Sequence, residues 1–282
     1  MDKKKYLENL TKSNIKNEVL SLFEDRYLND VSLPKDHVKK IISSYDEEMS
    51  GLRSTHPPIK FIQKHFSKAS KGKVLIVGLG LSYGYVYDFF NGGAEVYGIE
   101  PDKRYLEIQK KHAKILDLCE DNFVDAIAEK IPFDDESFDF VYCYTVIEHV
   151  QDVEKSLLEM YRVLKKNGFL YIETPDYRIL QEPHYKLFYL KYYPLLVYAY
   201  QKLSPGMRKR IVSIFLKIKK RNTKFLDSIN FLDEKTLKKF FFTQGWEFFQ
   251  YHQETDSKKN SFWRKVILKF GIPKNLWFFI TK

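Results

Sequence analysis

Hydrophobic positions change period three times along the chain. Over residues 1 to about 70, Leu7, Leu10, Ile15, Val19, Leu20 and Phe23 fall at helical spacing, and Val38, Ile41 and Ile42 continue it after Pro34. Ser50 to Pro58 (SGLRSTHPP) reads as a loop, and Ile59, Ile62 and Phe66 mark a third helix. From Lys73 the pattern becomes short apolar, β-branched runs separated by amphipathic stretches. The runs are Lys73 to Val77, Glu95 to Ile99, Phe138 to Cys143 and Phe169 to Glu173, with a weaker one at Asn122 to Ile127. Helices are predicted at Gly84 to Phe90, Lys103 to Lys114 and Asp152 to Lys166. In the last, Asp152 serves as N-cap and Asn167-Gly168 as the stop. Strands alternating with helices imply a parallel α/β sheet covered on both faces.

The alternation breaks after residue 175. Pro183 to Leu226 holds eleven Lys or Arg and no acidic residue, with six tyrosines in its first part. It reads as a helical cap inserted at about 177–228. Within it, Ile211, Ile214, Phe215 and Ile218 recur at helical spacing beside Arg208, Lys217, Lys219, Lys220 and Arg221, the pattern of a basic amphipathic helix. Trp246 to Tyr251 and Trp277 to Ile280 read as closing strands. The predicted division is a helical segment at 1–70 and a catalytic domain at 71–282.

Composition narrows the classes. At 282 residues and 44% hydrophobic, the chain can bury a sizeable core, which excludes wholesale disorder. A net charge of +10 favours an anionic partner. Two cysteines, Cys119 and Cys143, exclude a disulfide framework or a four-cysteine zinc site and suit a reducing cytoplasm. MDKKKYLENL has no apolar core and predicts no signal peptide. No window is long and apolar enough to span a bilayer; Tyr185 to Tyr200 comes nearest but carries Lys186, Lys191 and Pro194, so it reads as a surface segment.

Candidate chemistry begins at VLIVGLGLSYG, where a strand runs into Gly78, Gly80 and Gly84 before a helix. Such a turn lets backbone approach a ligand where side chains would clash. Its spacing is GxGxxxG, with Tyr83 where a dinucleotide fingerprint wants glycine. Glu100 ends the second strand, placed to accept the hydroxyls of an adenosine ribose. This pairing serves adenosine cofactors generally and does not choose among them.

Downstream come AEKIPF at Ala128 to Phe133, then DDESFDFVYCYTVIEHV, a helix and NGFLYIETPDY. With the glycine turn and the strand-end acid, this set resembles the class I S-adenosylmethionine-dependent methyltransferases of the type 11/type 23 group, over residues 72 to 176. One departure stands out. The usual first motif is D-x-G-C-G-x-G, and here Val77, Leu79 and Ser82 to Gly84 replace it. The resemblance implies a Rossmann-like, doubly wound, mostly parallel seven-stranded sheet and S-adenosylmethionine as cofactor. It implies Gly78, Gly80 and Gly84 near the amino-acid end of that cofactor, Glu100 on the ribose, and Pro101, Asp102, Ala128 and Glu129 around the adenine. Cys143, Tyr144 and Thr145 would form the pocket floor.

Methyl transfer requires alignment, exclusion of water and, for a hydroxyl acceptor, a general base. His184 in EPHYK and His149 in TVIEHV are the candidates, with Asp176, Tyr177 and Tyr185 as acceptor-side residues. In the N-terminal loop Tyr45, Arg53 and His56 are further polar candidates, Arg53 for the cofactor carboxylate. Some quinone-pathway relatives carry E-x-x-E-H as a metal site. Thr145 replaces the first Glu here, so no metal is predicted.

The segment TPDYRILQEPHYKLF resembles methyltransferases of cell-envelope polysaccharide gene clusters. The leading expectation is therefore O-methylation of a sugar or other anionic, phosphorylated or glycan acceptor in capsule or lipopolysaccharide biosynthesis. The setting would be cytoplasmic, with peripheral association at an anionic inner membrane face. The alternatives are a lipid or quinone-type acceptor at the membrane and an RNA methyltransferase. Against nucleic acid, the N-P-P-Y tetrapeptide of base-amino methylases is absent and no RNA-binding module is recognisable.

Overall fold

A computed structural model describes residues 3–31, 33–47, 57–82, 84–178, 181–182, 187–188, 199–200, 202–218, 224–250 and 275–282. Its main sheet has seven strands in the order β3-β2-β1-β4-β5-β9-β8. These are β1 (Lys73–Val77), β2 (Glu95–Ile99), β3 (Phe123–Val124), β4 (Phe138–Tyr144), β5 (Leu164–Pro175), β8 (Glu247–Gln250) and β9 (Asn275–Thr281). β6 (Gln181–Glu182) and β7 (Leu187–Phe188) form a separate antiparallel pair. The fold is Rossmann-like α/β, as the alternating pattern predicts. The chain divides into two compact units. One comprises residues 1–143, 152–170 and 282, the other 144–151 and 171–281.

The first unit holds the parallel core. β1 pairs in parallel with β2 (Val77 opposite Ile99) and with β4 (Val77 opposite Cys143). Val74 to Val77 are all buried, the continuous apolar run of a strand covered on both faces. Helices α5 (Gly84–Asn91), α6 (Lys103–Ile115) and α7 (Val153–Val163) alternate with the strands. Asp102 caps α6 through the Arg104 N–H at 2.9 Å, and Asp152 caps α7 through the Lys155 N–H at 3.0 Å.

α7 stops three residues before the predicted Lys166. Leu164 already has extended backbone (φ −77°, ψ 132°), and it is fully buried. The last carbonyls of α7 find partners outside the helix, in place of the stop expected at Asn167-Gly168. The Lys282 ammonium donates to those of Tyr161 and Arg162, both at 3.1 Å, and the Glu136 and Ser137 N–H groups donate to those of Arg162 and Val163, at 3.1 and 2.9 Å. Asn167 does adopt the left-handed conformation (φ 63°), but within the span of β5.

The N-terminal helices α1 (Lys3–Lys12), α2 (Ile15–Asp25), α3 (Lys35–Glu47) and α4 (Pro57–His65) belong to this same compact unit. The buried Tyr6 hydroxyl lies 2.8 Å from His112 Nε2 of α6, and the Tyr6 ring stacks on Tyr87 at 4.1 Å. Lys111 pairs with Glu18 at 2.7 Å.

The second unit carries β8 and β9, antiparallel with Phe249 opposite Phe279, under α10 (Glu234–Thr243). Phe241 of α10 stacks on Trp246 at 5.9 Å and meets Phe278 edge-on at 5.3 Å. The expected cap region contains α8 (Pro205–Ile218) and the single turn α9 (Lys224–Asp227). α8 turns a different face inward from the stripe read in the sequence. Arg208, Val212 and Leu216 are buried, whereas Ile214 is 57% and Ile218 70% exposed. The inward face is selected by polar anchoring. Arg208 Nη2 donates to Asp233 at 2.6 Å, and Lys209 donates to the carbonyls of Asp227 and Ile229 at 3.0 and 2.8 Å. Lys219, Lys220 and Arg221 lie outside the described residues.

Candidate functional site

β1 ends in a backbone turn held by its neighbour strand. The N–H groups of Gly78 and Leu79 both donate to the Ile99 carbonyl, at 3.0 and 3.2 Å. Gly78 (φ 70°) and Gly80 (φ 57°) both occupy the left-handed region, which glycine reaches without cost. Among the described residues, a Cβ at Gly80 would meet no atom within 4 Å, so none of them occupies the outer side of this turn. Among the described residues, a Cβ at Gly84 would meet Ser82 Oγ alone, at 3.9 Å, so their packing does not require glycine there. Leu79 points inward instead. It is 1% exposed, and its Cδ2 occupies the space beside Gly98, where a Cβ would fall 2.5 Å away.

Glu100 is the hub of the turn. Its Oε2 accepts the Gly80 N–H at 2.8 Å and its Oε1 accepts the Asp102 N–H at 3.0 Å. The residue is buried, and burial pushes its carboxyl up from the ordinary glutamate range. The Asp102 and Gly80 N–H groups and the positive charge of Arg26 oppose that rise. Each carboxylate oxygen keeps a second lone pair, so the group can still accept a pair of hydroxyls.

Two residues of this site were missed in the sequence. Gln109 of α6, fully buried, donates to the Gly80 carbonyl at 2.9 Å, so the Gly80 peptide is held at both its N–H and its C=O. Its signal was a polar residue three positions after Leu106 on the inward stripe of α6. Arg26 opens the π-helical turn Arg26–Asp30 that follows α2, and it acts on Glu100 electrostatically. No spacing marks it. Asp102, read as an adenine neighbour, has its side chain on Arg104 (Nη2 at 2.7 Å), which draws its carboxyl below the usual aspartate range. Pro101 beside it is exposed. Ala128 and Glu129 are both buried, and Glu129 Oε1 accepts the Asp152 N–H at 3.2 Å. Cys143 is fully buried at the end of β4.

Tyr144, Thr145, His149, Asp176 and Tyr177 lie in the second unit. Tyr144 and Thr145 are half-buried, and Thr145 has a positive φ of 52° with its N–H on the Glu173 carbonyl at 2.8 Å. His149 is half-buried, closing a turn through its N–H to the Val146 carbonyl at 2.7 Å. The backbone around it is pinned by Asn230, whose N–H donates to Glu148 O and whose Nδ2 donates to Val150 O, both at 2.7 Å. Asp176 is fully buried, and burial raises its carboxyl while Arg178 opposes the rise. Arg178 Nη2 reaches Asp176 Oδ2 at 2.6 Å and Glu234 Oε2 at 2.9 Å. Tyr177 is buried and stacked on Phe231 at 4.3 Å. His184, Tyr185, Arg53 and His56 lie outside the described residues, as does the side chain of Tyr45.

Residues 75–172, about a third of the chain, match the family model described as a methyltransferase domain. Among curated relatives, the uncharacterized methyltransferase YcgJ of Bacillus subtilis is 33% identical over 91 residues, covering 31% of this chain and 36% of that protein. The ubiquinone biosynthesis O-methyltransferase of Pelagibacter ubique is 31% identical over 146 residues, 49% of this chain and 57% of that protein. The demethylmenaquinone methyltransferase of Staphylococcus epidermidis is 30% identical over 153 residues, 54% and 57% of the two chains. The matches thus span between about a third and three fifths of these relatives. The solved structure of Bacillus subtilis YcgJ superposes with a TM-score of 0.51 at 16% identity, over 79% of this chain and 97% of that one. That likeness concerns the fold. The glycine turn and Glu100 pair a glycine edge with a buried carboxylate, the arrangement of an adenosine-cofactor cradle.

Proposed function

We propose that the chain is an S-adenosylmethionine-dependent methyltransferase acting on a lipid- or quinone-type acceptor. The observation that carries the cofactor assignment is the doubly tethered Glu100 facing the open edge of Gly80. When bound, S-adenosylmethionine supplies an electrophilic methyl group on a sulfonium. The chain's own residues provide the rest. Glu100 accepts the ribose hydroxyls, and the Gly80 peptide, clamped by Glu100 and Gln109, presents an unhindered backbone edge to the amino-acid moiety. Buried Ala128 and Glu129 offer a dry wall for the adenine. In the second unit, His149 at the end of the TVIEHV turn carries an imidazole, a group with the chemistry to take a proton from a hydroxyl acceptor.

The quinone-type acceptor is supported by the names of two relatives, which belong to ubiquinone and demethylmenaquinone methylation. The glycan acceptor of cell-envelope biosynthesis, the leading expectation from the sequence, has no support from these relatives. The test has two stages. Calorimetry should detect binding of S-adenosylhomocysteine and none of NADH. Then labelled methyl donor should be offered with short-chain hydroxyquinones, sugar nucleotides and RNA. Transfer to the quinone supports the proposal. NADH binding with no response to S-adenosylhomocysteine overturns the cofactor, and transfer to a sugar nucleotide or RNA overturns the acceptor.

A further inference from the structure

We propose that α8 (Pro205–Ile218) is a docking surface for an anionic lipid bilayer, lying along the headgroup boundary on its exposed apolar stripe. At about 100° per residue, Met207, Ile211, Ile214 and Ile218 fall within an arc of about 60°. Met207 is 51%, Ile214 57% and Ile218 70% exposed, and Ile211 is half-buried. These are four large aliphatic side chains over three turns, on a helix whose other face already has its own apolar contacts through Val212 and Leu216.

The orientation of this stripe is fixed. The buried pair Arg208–Asp233 at 2.6 Å and the two carbonyl bonds of Lys209 hold the opposite flank of the helix down, so α8 cannot roll to bury its isoleucines without breaking them. Arg210 and Lys217, both exposed, sit about 40–60° to one side of the stripe on the wheel. An apolar ridge edged by cations matches the acyl-chain and headgroup boundary of an acidic membrane. Charge also decides against a second copy of this chain. The protein carries +10 overall, and no acidic residue occurs from Pro183 to Leu226. Two such faces would repel, whereas anionic headgroups neutralise them. No described helix is long and apolar enough to cross a membrane, so the association is at the surface.

The test uses the full chain without methyl donor, so its outcome is independent of the enzymatic reading. Co-sedimentation is measured with phosphatidylcholine vesicles and with vesicles containing about 30 mol % phosphatidylglycerol, at low and high salt. Binding should appear with the acidic vesicles and weaken with salt. The double variant Ile214→Ser, Ile218→Ser, confined to exposed positions, should cut partitioning about tenfold or more with an unchanged circular dichroism spectrum. Arg210→Gln should cut it about fivefold. Three results would overturn the proposal. The first is no preference for acidic vesicles at low salt. The second is full binding by the isoleucine variant. The third is a lipid-free dimer that this variant dissociates, which would assign the face to a second copy.

Discussion

Replacing Glu100 with Ala removes the acceptor for two backbone donors at once, the Gly80 N–H at 2.8 Å and the Asp102 N–H at 3.0 Å. Two effects on folding oppose each other. Loss of hydrogen bonds to a charged acceptor costs about 1.5–3 kcal/mol each. Relief of a buried carboxylate, whose pKa is raised by its own desolvation, returns part of that. Net destabilisation should therefore be small, and the variant should fold. Cofactor binding has no such compensation. The ribose loses a charge-assisted partner, and Gly80 keeps only the Gln109 bond at its carbonyl. A loss of about 1–3 kcal/mol, roughly 5- to 150-fold in Kd for S-adenosylhomocysteine, is expected by calorimetry. The pH dependence has a definite sign. Because burial raises the Glu100 carboxyl, affinity should begin to fall above the ordinary glutamate range as pH is lowered. The folding contribution of the empty site runs the other way: it is fully present below the unfolded pKa and lost as pH rises through the raised folded value. Unchanged affinity in a natively folded Glu100→Ala protein would refute this account of the site.

Gln109→Ala should weaken S-adenosylhomocysteine binding several-fold, because the Gly80 carbonyl loses its tether at 2.9 Å, whereas Gln109→Glu should not restore it; equal affinity in all three proteins would sink the clamp. Gly98→Ala places a Cβ 2.5 Å from Leu79 Cδ2 in the packed floor of the turn, so about 1–3 kcal/mol of stability should be lost in urea unfolding, and Leu79→Ala should recover part of it. Asp233→Ala should cost about 3–5 kcal/mol, since it strands the buried Arg208 and uncaps α10; a midpoint shift no larger than that of a surface substitution would count against it. His112, fully buried beside Tyr6, has its pKa pushed down to about 3 by desolvation, so it stays neutral in the fold while the unfolded chain takes up a proton below the ordinary histidine range. Stability should thus fall by about 2 kcal/mol between neutral pH and pH 5, and His112→Phe should flatten that slope.

What the sequence could reveal follows from how local each signal is. β1 and its glycine turn were legible because a buried parallel strand is a continuous apolar run, and the turn that leaves it needs glycine at positions of positive φ. Glu100 was legible because it has a fixed place, the end of the second strand. The end of α7 was not, because the groups that close it, the Glu136 and Ser137 N–H groups and the Lys282 ammonium, come from elsewhere in the sequence. Gln109 and Arg26 were hidden for the same reason: each acts on the turn from another helix, and no spacing records that. α8 is the sharpest case. Periodicity alone offered Ile211, Ile214, Phe215 and Ile218 as a coherent apolar face, and hydrophobic burial by itself would have turned that face inward. The structure turns Arg208 inward onto Asp233, its buried partner, with Val212 and Leu216 buried on the same face, and the Lys209 bonds to two carbonyls join that pair in fixing the roll of the helix. An aliphatic ridge left in water by a polar anchor elsewhere on the same helix is retained at a cost, which is why its exposure points to a partner rather than to a packing error.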